Sequence, residues 1–180
     1  GGQINLGANT LDITGGAQIA NLVTVTDGAT ISSSSGGGTL TNAQVLGLAA
    51  GGSTLKLAGN ATDALVIARN LVGDGGAPQV VEVTGGLVTL SGSNGQDSTT
   101  VSATNGATLG LAASGAASGG QINLGANTLD ITGGAQVANL VTVTDGATIG
   151  SSSGGGTLTN AQALTLAAGG STLKLAGNAT

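Results

Sequence analysis

The stretch Gln3-Ile4-Asn5-Leu6-Gly7-Ala8-Asn9-Thr10-Leu11-Asp12-Ile13 returns unchanged as Gln121 to Ile131, 118 residues later. Within it Ile4 and Leu6 alternate with polar neighbours, Gly7-Ala8-Asn9 interrupts, and Leu11 and Ile13 resume the alternation. Alternation of period two reads as strand, because successive side chains of a strand point to opposite faces. Gly and Asn read as the turn between, because they accept conformations other residues avoid. Outward from this stretch, Gly1 to Thr62 realigns on Gly119 to Thr180 with 58 of 62 positions identical. The exceptions are Ile19/Val137, Ser32/Gly150, Val45/Ala163 and Gly47/Thr165. The chain thus reads as one and a half copies of a 118-residue tandem repeat, and is expected to be a window on a longer array.

The strand, turn, strand phrase recurs along the repeat. The expected inward residues are Ile4, Leu6, Leu11, Ile13, Val23, Val25, Leu46, Leu48, Leu55, Leu57, Val81, Val83, Val88 and Leu90. The turn glycines Gly7, Gly28, Gly51, Gly85, Gly106, Gly125, Gly146 and Gly169 follow one another at 21, 23, 34, 21, 19, 21 and 23 residues. A near-constant step with inward aliphatics and Gly, Asn or Asp corners predicts an all-β, elongated β-solenoid of about 21-residue coils, continuous and without linkers. Residues 1–118 form the complete unit and 119–180 the first half of the next. The longer interval, about residues 62–80, reads as an atypical coil or a protrusion. Its apolar run Ala64, Leu65, Val66 and Ile67, together with the only proline, Pro78, is the expected place of any lateral contact.

Composition narrows the choice further. Phe, Tyr, Trp, Met and Cys are all absent, so an interior must be filled by Leu, Val, Ile and Ala. That suits a thin core repeated many times better than an immunoglobulin-like sandwich, which normally pins its sheets with a bulky aromatic. With 39% hydrophobic and 6% charged residues the chain also differs from disordered sequences, which pair low hydrophobicity with high charge. The net charge of −5 is spread thinly, with no basic cluster for phosphates and no aromatic to stack on bases, so nucleic acid is not an expected partner. No apolar run approaches the ~20 residues of a membrane helix, and no membrane insertion is expected. Lack of Cys removes disulfides and thiolate chemistry but leaves the compartment open.

Phrases such as Thr24-Val25-Thr26-Asp27-Gly28-Ala29-Thr30-Ile31 and Gly52-Ser53-Thr54-Leu55-Lys56-Leu57-Ala58-Gly59 resemble those of bacterial surface β-solenoids, namely autotransporter passenger domains and filamentous-haemagglutinin-like adhesins. The resemblance spans the chain. It implies a secreted, extracellular or cell-surface location and an adhesive or scaffolding role.

For chemistry the residues offer little. Without His or Cys, nucleophilic catalysis that relies on a base of near-neutral pKa has no candidates. Paired carboxylates could hydrolyse glycosides, so Asp12, Asp27, Asp63, Asp74, Glu82 and Asp97 are the acids to place; Asp27 already reads as a turn residue. Gly73-Asp74-Gly75-Gly76 brings one acid to a loop, too few for calcium. Thr-x-Thr at Thr24/Thr26, Thr39/Thr41, Thr142/Thr144 and Thr157/Thr159 raises ice binding, against the plain reading of Thr as an outward strand residue. Lys56 reads as solvated and not as half of an isopeptide link with Glu82 in attendance, and Asn60-Ala61-Thr62 and Asn178-Ala179-Thr180 match the glycosylation pattern. The expectation is a non-enzymatic structural filament or shaft, without cofactor or metal, self-associating end to end, with side-by-side association as a further option. An adhesin stalk presenting a ligand-binding domain is the first alternative, and an ice-binding solenoid the second.

Overall fold

The computed structural model describes residues 2–41, 46–48, 54–68, 71–73, 79–92, 99–112, 121–158, 164–166 and 172–177. Among them there is no helix; the regular elements are strands of three to five residues. The first four groups of three are β1 (Gln3–Gly7), β2 (Thr10–Asp12), β3 (Ala17–Ile19); β4 (Leu22–Val25), β5 (Thr30–Ser32), β6 (Gly38–Leu40); β7 (Leu46–Leu48), β8 (Thr54–Ala58), β9 (Leu65–Ile67); and β10 (Leu71–Gly73), β11 (Gln79–Val83), β12 (Leu87–Leu90). Then come β13 (Thr99–Ala103) and β14 (Thr108–Leu111), and β15 (Gln121–Gly125), β16 (Thr128–Ile131) and β17 (Ala135–Val137). The last are β18 (Leu140–Val143), β19 (Thr148–Gly150), β20 (Gly156–Leu158), β21 (Leu164–Leu166) and β22 (Lys174–Ala176).

These short strands stack in parallel on successive coils, which makes the protein a β-solenoid. One side is the sheet β1-β4-β7-β10, a second is β2-β5-β8-β11-β13-β15-β18-β21, and a third is β3-β6-β9-β12-β14-β16-β19-β22. A fourth, short sheet, β17-β20, lies in chain order between the third and second sides, the place held earlier by β4, β7 and β10. Partner residues on successive coils are 18 apart at the shortest (Gly7 and Val25) and 27 at the longest (Gly38 and Leu65). The corners absorb the difference, since each strand needs only a few residues in register to keep its ladder.

The core is a stack of aliphatic columns. Leu11, Ile31, Leu57 and Val83 follow one another up the second side, and Leu65, Val88, Leu109, Leu129 and Ile149 up the third. Of the expected inward residues, Leu6, Ile13, Val23, Val25, Leu55, Leu57, Val81, Val83, Val88 and Leu90 are buried. Ile4 and Leu11 are half-buried, whereas their repeats Ile122 and Leu129 are buried because β13 and β14 cover them from below. Leu46 and Leu48 lie in β7 with partners in β4 and β10, but their side chains fall outside the described residues.

At the corners, Gly7, Gly28, Gly106, Gly125 and Gly146 take positive φ. At Gly7 and Gly125 the register slips by one residue against the next coil, so the same bulge is built in both copies. At the corner expected to turn on Gly85 the left-handed residue is instead its neighbour, Gly86, at φ 64°. Gly51, Gly169 and Pro78 lie outside the described residues. The run Ala64 to Ile67 is not a lateral surface: Leu65 and Ile67 belong to β9 and are fully buried, and Val66 alone of that strand faces outward. A strand whose outward residue is also apolar hides its alternation from the sequence.

The two copies do not sit on the same sides. Strands β1 to β8 recur in sequence as β15 to β22, yet β1 belongs to the first side and β15 to the second, while β2 belongs to the second and β16 to the third. Pairing is nevertheless the same in both: Gln3 opposes Leu22 as Gln121 opposes Leu140, and Thr10 opposes Thr30 as Thr128 opposes Thr148. Climbing the second side from β2, five steps lead through β5, β8, β11 and β13 to β15, and β16 lies one side further on. The 118-residue repeat therefore spans five turns and one side.

Candidate functional site

The acids are the first place to look, and Asp12, Asp27, Asp63, Asp130 and Asp145 are each engaged in a contact within or between coils. Asp12 ends β2; one carboxylate oxygen accepts the Ser34 N–H at 2.9 Å and the Ser32 hydroxyl at 3.0 Å, and the other accepts the Ser34 hydroxyl. The Ser34 hydroxyl foremost, then the Ser34 N–H and, more weakly, the Ser32 hydroxyl hold this carboxyl below its ordinary value, against the opposing pull of desolvation. Asp130 repeats the arrangement with the Ser152 N–H at 2.8 Å and the Ser152 hydroxyl, but Gly150 stands where Ser32 stood.

Asp27 accepts the N–H of Thr54 at 2.9 Å, and the neighbouring Gly28 N–H donates to the Thr54 carbonyl at 2.9 Å. Asp145, Gly146 and Thr172 do the same at 2.8 and 3.0 Å. Each pair is 27 residues apart, one coil on. Asp63 accepts the Thr62 hydroxyl at 2.9 Å within its own turn. Glu82 faces outward between Lys56 and Ser102 in the ladder, and Lys56 is exposed. Asp74 and Asp97 lie outside the described residues. Among the described residues no three of His, Cys, Asp and Glu gather closely enough to hold a metal ion. The carboxylates meet backbone and hydroxyl donors, not one another, which is the chemistry of fastening coils.

Polar residues that the sequence reading passed over take part as well. Asn127 is buried at a corner; its Nδ2 donates to the Ala103 and Leu124 carbonyls at 2.7 Å each, and its Oδ1 accepts the Ala107 N–H at 3.0 Å. Asn105, left-handed at φ 55°, donates to the Thr84 carbonyl at 3.1 Å. Asn60 caps the turn after β8: its Oδ1 accepts the N–H groups of Thr62 and Asp63 at 2.8 and 2.7 Å. Its Nδ2 is buried without a partner, so the first glycosylation pattern presents no open amide; Asn178 is outside the described residues. The signal for these ties is polar residues recurring at offsets of about one coil, which needs the register to be known first.

On the outside, the Thr-x-Thr motifs do not stack on one another. Thr24 lies between Asn5 and Gly47, and Thr39 between Gln18 and Val66. Among the described residues the longest Thr column is instead Thr108, Thr128 and Thr148 on the third side. Beside it a shallow groove of about 280 Å³ opens around Asp130, where the outward residue of the next coil is Gly150. Thr and Ser hydroxyls line it together with Leu129, Ala176 and glycine, and it lacks the aromatic platform that sugar sites favour. Among the described residues no helix is long and apolar enough to cross a membrane.

No family model, curated protein or solved structure matches this chain. What fold and side-chain geometry define is a class: a three-sided parallel β-solenoid whose polar groups tie coil to coil.

Proposed function

We propose that this chain is part of a structural shaft, an extracellular or cell-surface filament built from many copies of the 118-residue repeat. The observation that carries this reading is the continuity of the ladder: eight-stranded sheets on two sides pass from the first copy into the second without a break. In such an assembly each coil contacts only its neighbours, so stability accumulates along the axis and length is set by copy number. Near-identity between copies fits a role defined by length and stiffness. At a spacing of about 4.8 Å per coil, one repeat adds about 26 Å.

Chains of one and a half, three and six repeats, imaged by electron microscopy, test it. Rods of constant width whose length grows by about 26 Å per added repeat are expected. Compact particles, or a contour length that fails to follow copy number, would overturn the reading. Immunogold labelling of source cells tests location; label confined to the cell interior would contradict a surface shaft.

A further inference from the structure

We infer that the repeat is phased against the coil so that, in an array, every surface group turns one side about the shaft at each copy. It is then displayed in succession on all three sides. The inference rests on the shaft reading only for arrays longer than this chain; the phase itself is set within it.

Identical strands Gln3–Gly7 and Gln121–Gly125 lie on the first and second sides. Their surface contacts move with them: Gln3 donates to the Thr24 hydroxyl at 2.9 Å on one side, and Gln121 to the Thr142 hydroxyl at 3.0 Å on the next. The Asp12 and Ser34 tie on the second side reappears as Asp130 and Ser152 on the third. The sequence thus specifies which coil lies above which, and is indifferent to the side on which the stack stands. That is physically reasonable, since every side presents the same inward aliphatic columns and the same parallel ladder.

Five turns and one side per repeat then compound. Three repeats make sixteen turns, about 77 Å of shaft at about 4.8 Å per turn, before a residue returns to its own side. A repeat of five whole turns would place every copy of Asn5 or Lys56 in one line and give the shaft a distinct binding side. Here such lines do not form. Two shafts meeting through one patch touch along a given side only at every third repeat, and a third shaft finds the same patch on the other sides. Lateral contact between copies of this chain is therefore open in three directions and grows a network, not a ribbon.

From β12 on the third side the next described strand, β13, stands on the second, as β15 does after β14, and Ser102 lies beside Glu82 in the ladder. An in-phase repeat made by closing the step from β12 to β13 would set β13 over β10 and bring Ser102 beside Val72, which shares its register position with Gly47. Two double variants of the full chain separate these, Glu82→Cys with Ser102→Cys and Val72→Cys with Ser102→Cys. Adjacent parallel strands lie about 4.8 Å apart, within disulfide reach. On mild oxidation the first pair is expected to lose both thiols and the second to keep them; pyrene-maleimide excimer emission gives the same comparison without the geometry of a disulfide. Crosslinking of the second pair, of both, or of neither in a chain that retains its β circular dichroism would overturn the phase. In a four-repeat chain carrying Asn5→Cys in every copy, gold labels should step around the rod; a single straight row would overturn the array symmetry while leaving the shaft reading intact.

Discussion

Asn127 reaches back one coil to Ala107: its side-chain oxygen accepts the Ala107 N–H at 3.0 Å across 20 residues of chain. The same side chain donates to the Ala103 and Leu124 carbonyls, so one buried amide closes its own turn and fastens it to the coil beneath. Asn9 holds the identical place in the first copy, but is exposed and donates only to the Leu6 carbonyl at 2.9 Å.

Identical residues should therefore respond differently to the same substitution. Asn127→Ala removes two donated bonds from a buried site and strips the Ala103 carbonyl of a partner, an expected loss of about 2 to 3 kcal/mol. Asn9→Ala removes one bond at an exposed turn and should cost under about 1 kcal/mol. Urea unfolding of both variants, read by circular dichroism, makes the comparison. Equal losses would mean that Asn127 does not fasten the coils.

Ser33 offers a gain. It is fully buried, its backbone N–H donates to the Ala58 carbonyl at 2.8 Å, and its hydroxyl has no partner. An unpaired buried hydroxyl costs about 1 to 3 kcal/mol, and Ala keeps the backbone bond while removing that cost. Ser33→Ala should raise the urea midpoint, by roughly 1 kcal/mol of stability. A fall in the midpoint would show that the hydroxyl is satisfied in solution.

Two glycines in successive coils, joined by the 3.0 Å bond from the Gly59 N–H to the Gly85 carbonyl, should separate sharply. A Cβ on Gly59 would overlap the carbonyl of Leu87, a backbone atom that cannot swing aside, whereas a Cβ on Gly85 meets nothing within 4 Å and needs no left-handed backbone. Gly59→Ala should cost several kcal/mol or prevent folding of its coil, and Gly85→Ala should be neutral or stabilise by up to about 1 kcal/mol through the unfolded chain. Limited proteolysis resolves the difference locally, with cleavage near residues 54–68 expected in the first variant alone. Matching digestion patterns would count against the close approach of these corners.

That contrast marks where the sequence could be read and where it could not. The inward columns were legible because Val23, Val25, Leu55 and Leu57 alternate with polar neighbours, and a single register satisfies them all. Leu65 and Ile67 escaped because outward Val66 is apolar as well, so a regular strand looked like a patch. The fastening residues escaped for a deeper reason. Asp27 and Thr54, or Asp12 and Ser34, carry no shared local pattern; they meet only once coil length is known, and that length ranges from 18 to 27 residues. The turn of one side per repeat was out of reach too, since it is decided by how many sides the whole repeat covers and not by any one phrase.

The pH dependence of stability should trace to Asp12. Its carboxyl is held below the ordinary value of 3.8 by the Ser34 hydroxyl and N–H and by the Ser32 hydroxyl, all donors that favour the charged form. A carboxyl whose pKa is lower folded than unfolded stabilises the fold at pH above the unfolded value. That contribution fades as pH falls through 3.8 towards the folded value, because the unfolded chain takes up the proton first. Asp12→Asn keeps an acceptor for the Ser34 N–H but has no proton to gain, so it should be less stable than the parent at neutral pH, and the gap should close on acidification. Thermal unfolding midpoints of parent and variant between about pH 6 and pH 2 provide the measurement. A gap that stays constant down to the acid limit would show that Asp12 does not titrate against these donors.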